Sequence, residues 1–411
     1  MRVHAVLEYL AVGVLIVAVI AAAGYMLEAP SRTLETVREE QLLTVAERLM
    51  DKILLTPGYP PDWGSNVYVT DANLSDFGLA LQGGAPYIVD PDKVMRLANL
   101  STLPNPLLVN ASRLAELLGV KGQYGFKLVM KPMITAEVET LDWSNGMASK
   151  FRVRVLNWLG EGLPSANVTG VYVIALVRGG AGQPEVDDLR NFNRSCLTDA
   201  LGYCVFDYTD DVNSIRYGSG QQPATFLIIH TNWEGFISVS GYSPVPGGAP
   251  VEGYIIGSFV FLAKDVDTSE QPLYLGQVSG AVIVKDEVVQ VVPQYSLLLE
   301  FTEVEWCRNQ PDDPEWCHEV AGSVMPSRRG AYLIGKVVYL EKLPSHVVLF
   351  AKWRGSWNTI VISRIPVVDI LSYGLPEAKP ANSVTLTRVT QIYGYPYVVQ
   401  LTVWRWVEGW P

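Results

Sequence analysis

Four cysteines fall in two close pairs, Cys196 with Cys204 and Cys307 with Cys317. No Cys-x-x-Cys motif or Cys/His ligand spacing accompanies them, and only His318 adjoins a cysteine, so a four-ligand zinc set is not assembled. Two local disulfides in an oxidising space fit the spacing best, with a set of buried thiols as the rival reading. Five N-glycosylation triplets occur at Asn73, Asn99, Asn110, Asn167 and Asn193, each followed two residues later by Ser or Thr.

Catalytic chemistry finds little material. The histidines are His4, His230, His318 and His346, and no Gly-x-Ser-x-Gly elbow, His-Glu-x-x-His pair or phosphate loop occurs. His230 lies in an apolar run, where a hydrogen-bonded core histidine is expected. Acidic groups cluster at Asp187 and Asp188, at Asp207 with Asp210 and Asp211, at Asp265 with Asp267, and at Asp312 with Asp313. Calcium needs roughly six to eight oxygens, and none of these clusters has a glycine-turned ligand loop. They read as solvated turns. No catalytic residue, metal ligand or cofactor is therefore assigned, although distant carboxylate pairs leave an anchored hydrolase open as a third reading. Trp404, Trp406 and Trp410, with Tyr393, Tyr395 and Tyr397, offer a sugar or partner face; core packing of the Trp404 and Trp406 pair is preferred.

The elements that would position these groups change character along the chain. Leu34, Val37, Leu42, Val45, Leu49, Ile53 and Leu54 recur at mostly three- and four-residue steps among charged residues, which predicts an amphipathic helix over 31–56. Thr56 to Gly64 contains three prolines and two glycines and ends it. Residues 57–125 read as a small mixed α/β cap, with Asp90 and Pro91 opening one short helix and Asn110 another. From Phe126 the period becomes that of strands. Phe126 to Met130, Ala136 to Leu141, Phe151 to Leu156, Val171 to Val177 and Phe226 to His230 predict an immunoglobulin-like β-sandwich over 126–243. The Pro/Gly cluster from Tyr242 to Pro250 marks a boundary, and 251–411 reads as a second β-rich domain.

Before all of this, Tyr9 to Leu27 carries no charge and is long enough for a bilayer, which needs roughly 20 apolar residues. It is expected to be a retained transmembrane helix over 1–30, following a short leader, with the N-terminus inside and the bulk outside the cell. The fold class expected is thus mainly β with a long N-terminal helix, a transmembrane helical spine followed by β-sandwich domains. The net charge of −11 excludes a basic footprint for nucleic acid. The hydrophobic content of 49% excludes a disordered stalk.

A short basic leader, then Val6-Leu-Glu8, then a long Ala/Val/Ile/Leu span merging into an amphipathic helix resembles the spine of archaeal type IV pilin-like surface proteins. That resemblance covers about the first 60 residues. It implies hydrophobic helices packed in a filament core with the heads outward, and makes Glu8 the assembly residue. The leader Met1-Arg-Val departs from the usual basic residue plus Gly or Ala before the cleavage point. In the middle of the chain, Asn157 to Val168 and Thr198 to Phe206 are similar to carboxypeptidase-regulatory-like and related immunoglobulin-like modules. Such modules are usually structural spacers, and the likeness implies that Cys196 and Cys204 flank a turn and staple its hairpin.

These readings converge on a non-enzymatic, membrane-anchored cell-surface protein, a pilin-like structural or adhesive subunit that self-associates through its N-terminal helix. The alternative is a monomeric single-pass anchored module that binds a surface glycan or protein partner without polymerising.

Overall fold

The computed structural model describes residues 13–20, 39–98, 107–178, 185–244, 251–257, 259–262, 281–285, 288–292, 301–306, 333–337, 346–353, 356–363, 367–374 and 383–405. The protein is mainly β, with strands in antiparallel sheets apart from one parallel pairing.

Helix α1 (39–55) has the face its sequence dictates. Leu42, Ala46, Leu49, Met50, Ile53 and Leu54 are buried, while Glu39, Glu40, Glu47, Arg48 and Asp51 are exposed. Each large apolar side chain hidden this way stabilises the docked helix by roughly 1.5–3 kcal/mol. Its C-terminal carbonyls are satisfied from the following segment: Leu79 N–H donates to Ile53 O at 2.7 Å and Ala80 N–H to Thr56 O at 3.0 Å. Gly58 turns the chain away at φ 72°, and a Cβ there would meet Asp76 O at 2.7 Å.

The apolar face of α1 shares one core with a four-stranded sheet, in the order β17 (Val368–Tyr373), β1 (Tyr124–Pro132), β19 (Tyr395–Arg405), β18 (Ser383–Ile392). Phe126, Leu128 and Met130 alternate inward from β1, and Tyr397, Val399, Leu401 and Val403 do so from β19. Two short helices complete this platform. Helix α2 (Pro91–Met95) is capped by Asp90, whose side chain accepts from Asp92 N, with Pro91 in the first turn. Helix α3 (Ala111–Leu117) is capped by Asn110, which accepts from Arg113 N at 2.9 Å.

Between β1 and β17 the chain makes two further β units. The first packs a sheet of β2 (Ile134–Ser144), β3 (Met147–Asn157) and β6 (Tyr203–Asp207) on a sheet in the order β5 (Glu185–Leu197), β4 (Asn167–Arg178), β7 (Gln221–Trp233), β8 (Phe236–Tyr242). Val153, Phe151 and Phe206 from one sheet meet Val168, Tyr172, Ile174, Leu227 and Ile229 from the other. Helix α4 (Thr209–Ser214) follows β6. The Tyr208 hydroxyl donates to Gly170 O at 2.9 Å, and a Cβ on Gly170 would meet that hydroxyl at 2.8 Å. The second unit is an eight-stranded sheet of β9 (Val251–Ile256), β10 (Phe259–Leu262), β11 (Ala281–Lys285), β12 (Val288–Val292), β13 (Phe301–Trp306), β14 (Leu333–Val337), β15 (His346–Trp353) and β16 (Ser356–Ser363). β9 runs parallel to β16 and is tied to the platform by Gly257 N–H donating to Asp92 Oδ2 at 3.2 Å.

Three expectations are corrected here. The membrane spine does not stand: among the described residues the apolar segment is helical over 13–20, and no helix is long and apolar enough to cross a membrane. The single-pass anchor and the surface address built on it go with that finding. The rest of Tyr9 to Leu27, Glu8, and 31–38 of the amphipathic pattern lie outside the described residues. Nor does α1 lead outward as a rod, because its apolar stripe lies in the core it shares with the following loops, the short helices and the β1 and β19 strands. Finally, β1 is not a sandwich strand. It pairs with β17 and β19 from the far end of the chain, so the sandwich opens at β2, and β17 to β19 belong to the platform. The alternation in Phe126 to Met130 predicts a strand but carries no information about its partner.

Candidate interaction surface

At the end of the sandwich where β3 turns into β4 and β5 into β6, two connections are tied together by their own polar side chains. Asn157 folds the first: its Oδ1 accepts from Leu159 N at 2.9 Å and Glu161 N at 3.0 Å, while its Nδ2 donates to Glu161 Oε2 at 2.9 Å. Asp199 folds the second, its Oδ1 accepting from Leu201 N and Tyr203 N at 2.9 Å each. These are Asx turns, in which a short side chain replaces a backbone acceptor. Thr198, buried, joins the two connections. Its hydroxyl donates to Leu163 O at 2.6 Å and accepts from Ala166 N at 2.8 Å. Gly202, at φ 84°, lies so close that a Cβ would meet Val155 O at 2.6 Å. Leu201 O packs against Gly162, where a side chain would collide with it.

The Cys196–Cys204 disulfide sits beside this knot, with Cα atoms 6.1 Å apart. It does not staple a hairpin. Cys196 is in β5 and Cys204 in β6, strands of opposite sheets, so the bond closes one side of the sandwich. The other side is closed where the Thr140 hydroxyl and Tyr242 hydroxyl lie 3.1 Å apart, between β2 and β8.

This rigid end displays apolar side chains to solvent. Leu159 is 60% exposed, Leu197 68% and Leu201 67%. At the same end Trp233, packed against the sandwich core, donates from its indole to Pro164 O at 3.2 Å, with Phe236 across the β7–β8 hairpin. Single exposed leucines are ordinary, but several at one hydrogen-bonded end make that end the candidate for a partner surface. Next to it, the guanidinium groups of Arg152 and Arg154 lie 5.6 and 5.2 Å from the Tyr203 ring centre. Arg152 also pairs with Glu139 across the β2–β3 ladder.

The most perturbed titratable groups lie elsewhere, in the platform, and serve its backbone. Arg96, 1% exposed, donates to Leu107 O, Trp63 O and Val69 O and lies over the Trp63 ring. Burial lowers its pKa to about 10, leaving it charged at neutral pH. Lys93, fully buried, donates to Pro57 O at 2.9 Å and Ala80 O at 2.8 Å, and burial pushes its pKa down. Asp90, 3.9 Å from Lys93, is raised to about 6 by burial, with the Asp92 charge adding to the shift. Arg96 and Lys93 crosslink these loops by donating to their backbone carbonyls.

The other sequence-derived sites are scattered. Asn73 and Asn110 both flank Asp71: Asn110 Nδ2 donates to Asp71 Oδ2 at 2.9 Å, while Asn73 Oδ1 accepts from Thr70 N at 2.6 Å. Asn167 and Asn193 are exposed on neighbouring strands β4 and β5, and the hydroxyls of their triplets, Thr169 and Ser195, lie 3.2 Å apart. Asn99, Cys307, Cys317, His318, Trp406 and Trp410 lie outside the described residues, as do the clusters at Asp265 and Asp312. Trp404 is 5% exposed, on the face opposite the platform core, where its indole covers Gly125. His230 is half-buried in β7. Asp187 and Asp188 are in strand β5, not in a turn. Asp207 and Asp211 pair with Lys150 and Arg194, and bonds from Thr209 and then Lys150 lower Asp207 to about 2. Among the described residues, no three of His, Cys, Asp and Glu gather as a metal site.

The exposed leucines were missed as a site because single leucines in turns carry no motif. The Asn157 to Val168 and Thr198 to Phe206 segments did mark their frame. No protein-family model matches the chain, and no curated protein matches it.

Proposed function

We propose that this chain is a non-enzymatic structural or adhesive subunit that holds a protein partner at the turn-tied end of its sandwich. One observation carries the reading: Leu159 and Leu201, 60% and 67% exposed, stand on connections fixed by Asn157, Thr198 and Asp199, and Leu197, 68% exposed, ends β5 beside them. A preorganised apolar patch gives up little conformational freedom on binding, which is the main saving available to a binding surface. Aliphatic side chains at its centre favour apolar protein side chains over a sugar, which stacks on aromatic rings.

The buried charges fit a structural role too. Asp90, Lys93 and Arg96 contact backbone groups and one another rather than an open cleft. The transmembrane anchor forms no part of this proposal.

The test is co-purification from native cells of the full chain and of a Leu159→Ser/Leu201→Ser variant. The wild type is expected to bring down a stoichiometric protein partner that the variant loses at unchanged melting temperature. No partner for the wild type, or one retained by the variant, would sink the reading. Turnover of a peptide or glycoside substrate by the purified chain would contradict its non-enzymatic part.

A further inference from the structure

The edge strands β17, β5, β6 and β8 are guarded, and β18 is not. β17 is short, its pairing with β1 is interrupted between Leu128 and Met130, its Asp369 pairs with Lys131 at 3.0 Å, and α3 packs beside it. β5 carries Asp187, Asp188, Arg190 and Arg194, and its pairing shifts opposite Leu176 and Val177. β6 and β8 are closed against the opposite sheet by the disulfide and by Tyr242. β18 is ten residues long and regularly paired with β19, and it has no Pro or Gly and a single charge, Arg388. Among the described residues no further strand pairs with its outer side, and natural proteins seldom leave a long, regular edge with so little charge open, because its unpaired backbone groups are a template for another strand.

Part of this edge is already used. Val89 N–H donates to Gln391 O at 2.9 Å and Gln391 N–H to Tyr87 O at 3.0 Å, so the segment at Tyr87 to Val89 adds to the end of β18. Because backbone direction alternates along a strand, Val389, Thr387, Thr385 and Ser383 turn their N–H and C=O groups the same way as Gln391. On the core side of the same stretch, Val384 and Leu386 are only partly buried against the platform core, and on the outer side Val389 is 50% exposed.

We propose that β18 pairs antiparallel with β18 of a second copy of this chain, joining two platforms through one continuous sheet. The sequence is self-complementary about Leu386. A two-fold axis there sets Thr385 against the second copy's Thr387 and Ser383 against its Val389, as hydrogen-bonded pairs. Leu386 meets its twin on the core side. Arg388 faces Val384 of the second copy rather than another arginine, so the one charge on the edge does not repel itself. Arg388 also donates to Thr387 O at 3.2 Å in the single chain, and that bond yields to an N–H of the second copy. This inference is independent of the partner surface on the sandwich.

Sedimentation velocity of the full chain over a concentration series tests it. The wild type is expected to reach dimer mass and to dissociate on dilution. Thr385→Lys with Thr387→Lys sets like charges opposite each other across the two-fold axis, at positions exposed in the single chain. Thr387→Pro removes one outward N–H while leaving the β19 ladder intact. Both variants are expected to stay monomeric with an unchanged circular dichroism spectrum. A monomeric wild type, or an assembly of any size that both variants leave intact, would overturn the proposal.

Discussion

Asp90 shows how one buried side chain ties the platform to pH. Its carboxylate caps α2 and lies 3.9 Å from Lys93, yet burial and the adjacent Asp92 raise its pKa from 3.8 to about 6. A group whose folded pKa is raised contributes stability that is fully present below the unfolded value and lost as pH rises through the folded one. Asp90 therefore destabilises the fold by ~3 kcal/mol at pH 7 relative to its protonated form. Asn keeps the cap without the charge. In urea titrations Asp90→Asn is expected to be more stable than wild type by ~1–3 kcal/mol at neutral pH, the gap closing as pH falls from about 6 toward 4. A gap that is constant across this range would contradict the assignment. The Asp90 and Pro91 pair was legible in the sequence as a helix start. Its pKa was not, because the burial comes from segments distant along the chain.

Among the elements, the disulfide between β5 and β6 has the clearest mechanical part. It links residues eight apart in sequence but in opposite sheets, beside the knot that fixes Leu201. Closing so short a loop stabilises by ~2–3 kcal/mol in the chain-entropy account. Cys196→Ser with Cys204→Ser should lower unfolding stability by about that amount, measured by calorimetry. It should also speed hydrogen exchange at the Leu201 and Tyr203 amides, which donate to Asp199. Exchange there as slow as in wild type would mean that the turns hold without the bond. The helical period of α1 and the alternation of β1 and β3 were readable because each buries one face, and β4 and β7 were readable as apolar runs because both of their faces are buried. β5 was not: Asp187, Asn191 and Asn193 are exposed, and an edge strand in water shows no apolar alternation.

At the scale of the molecule, the platform is built from both ends of the described chain, with the sandwich and the eight-stranded sheet inserted between β1 and β17. The strands could be found from local pattern, but their partners could not, since pairing β1 with β19 depends on a core that no local segment contains. The same limit explains the misread spine: an apolar stripe on a helix says that it is covered, not by what. Here the stripe lies in a core shared with a sheet, and large apolar side chains stay exposed on residues 13–20 as well as on the sandwich and along β18. We propose the turn-tied end of the sandwich as the place where this subunit meets its partner. The most direct measurement is photo-crosslinking in native cells with a photoreactive residue at Leu201, compared with one at Leu141 on β2. A discrete adduct with one protein is expected from position 201 and none from 141. Equal adducts at both positions, or none at 201, would contradict it.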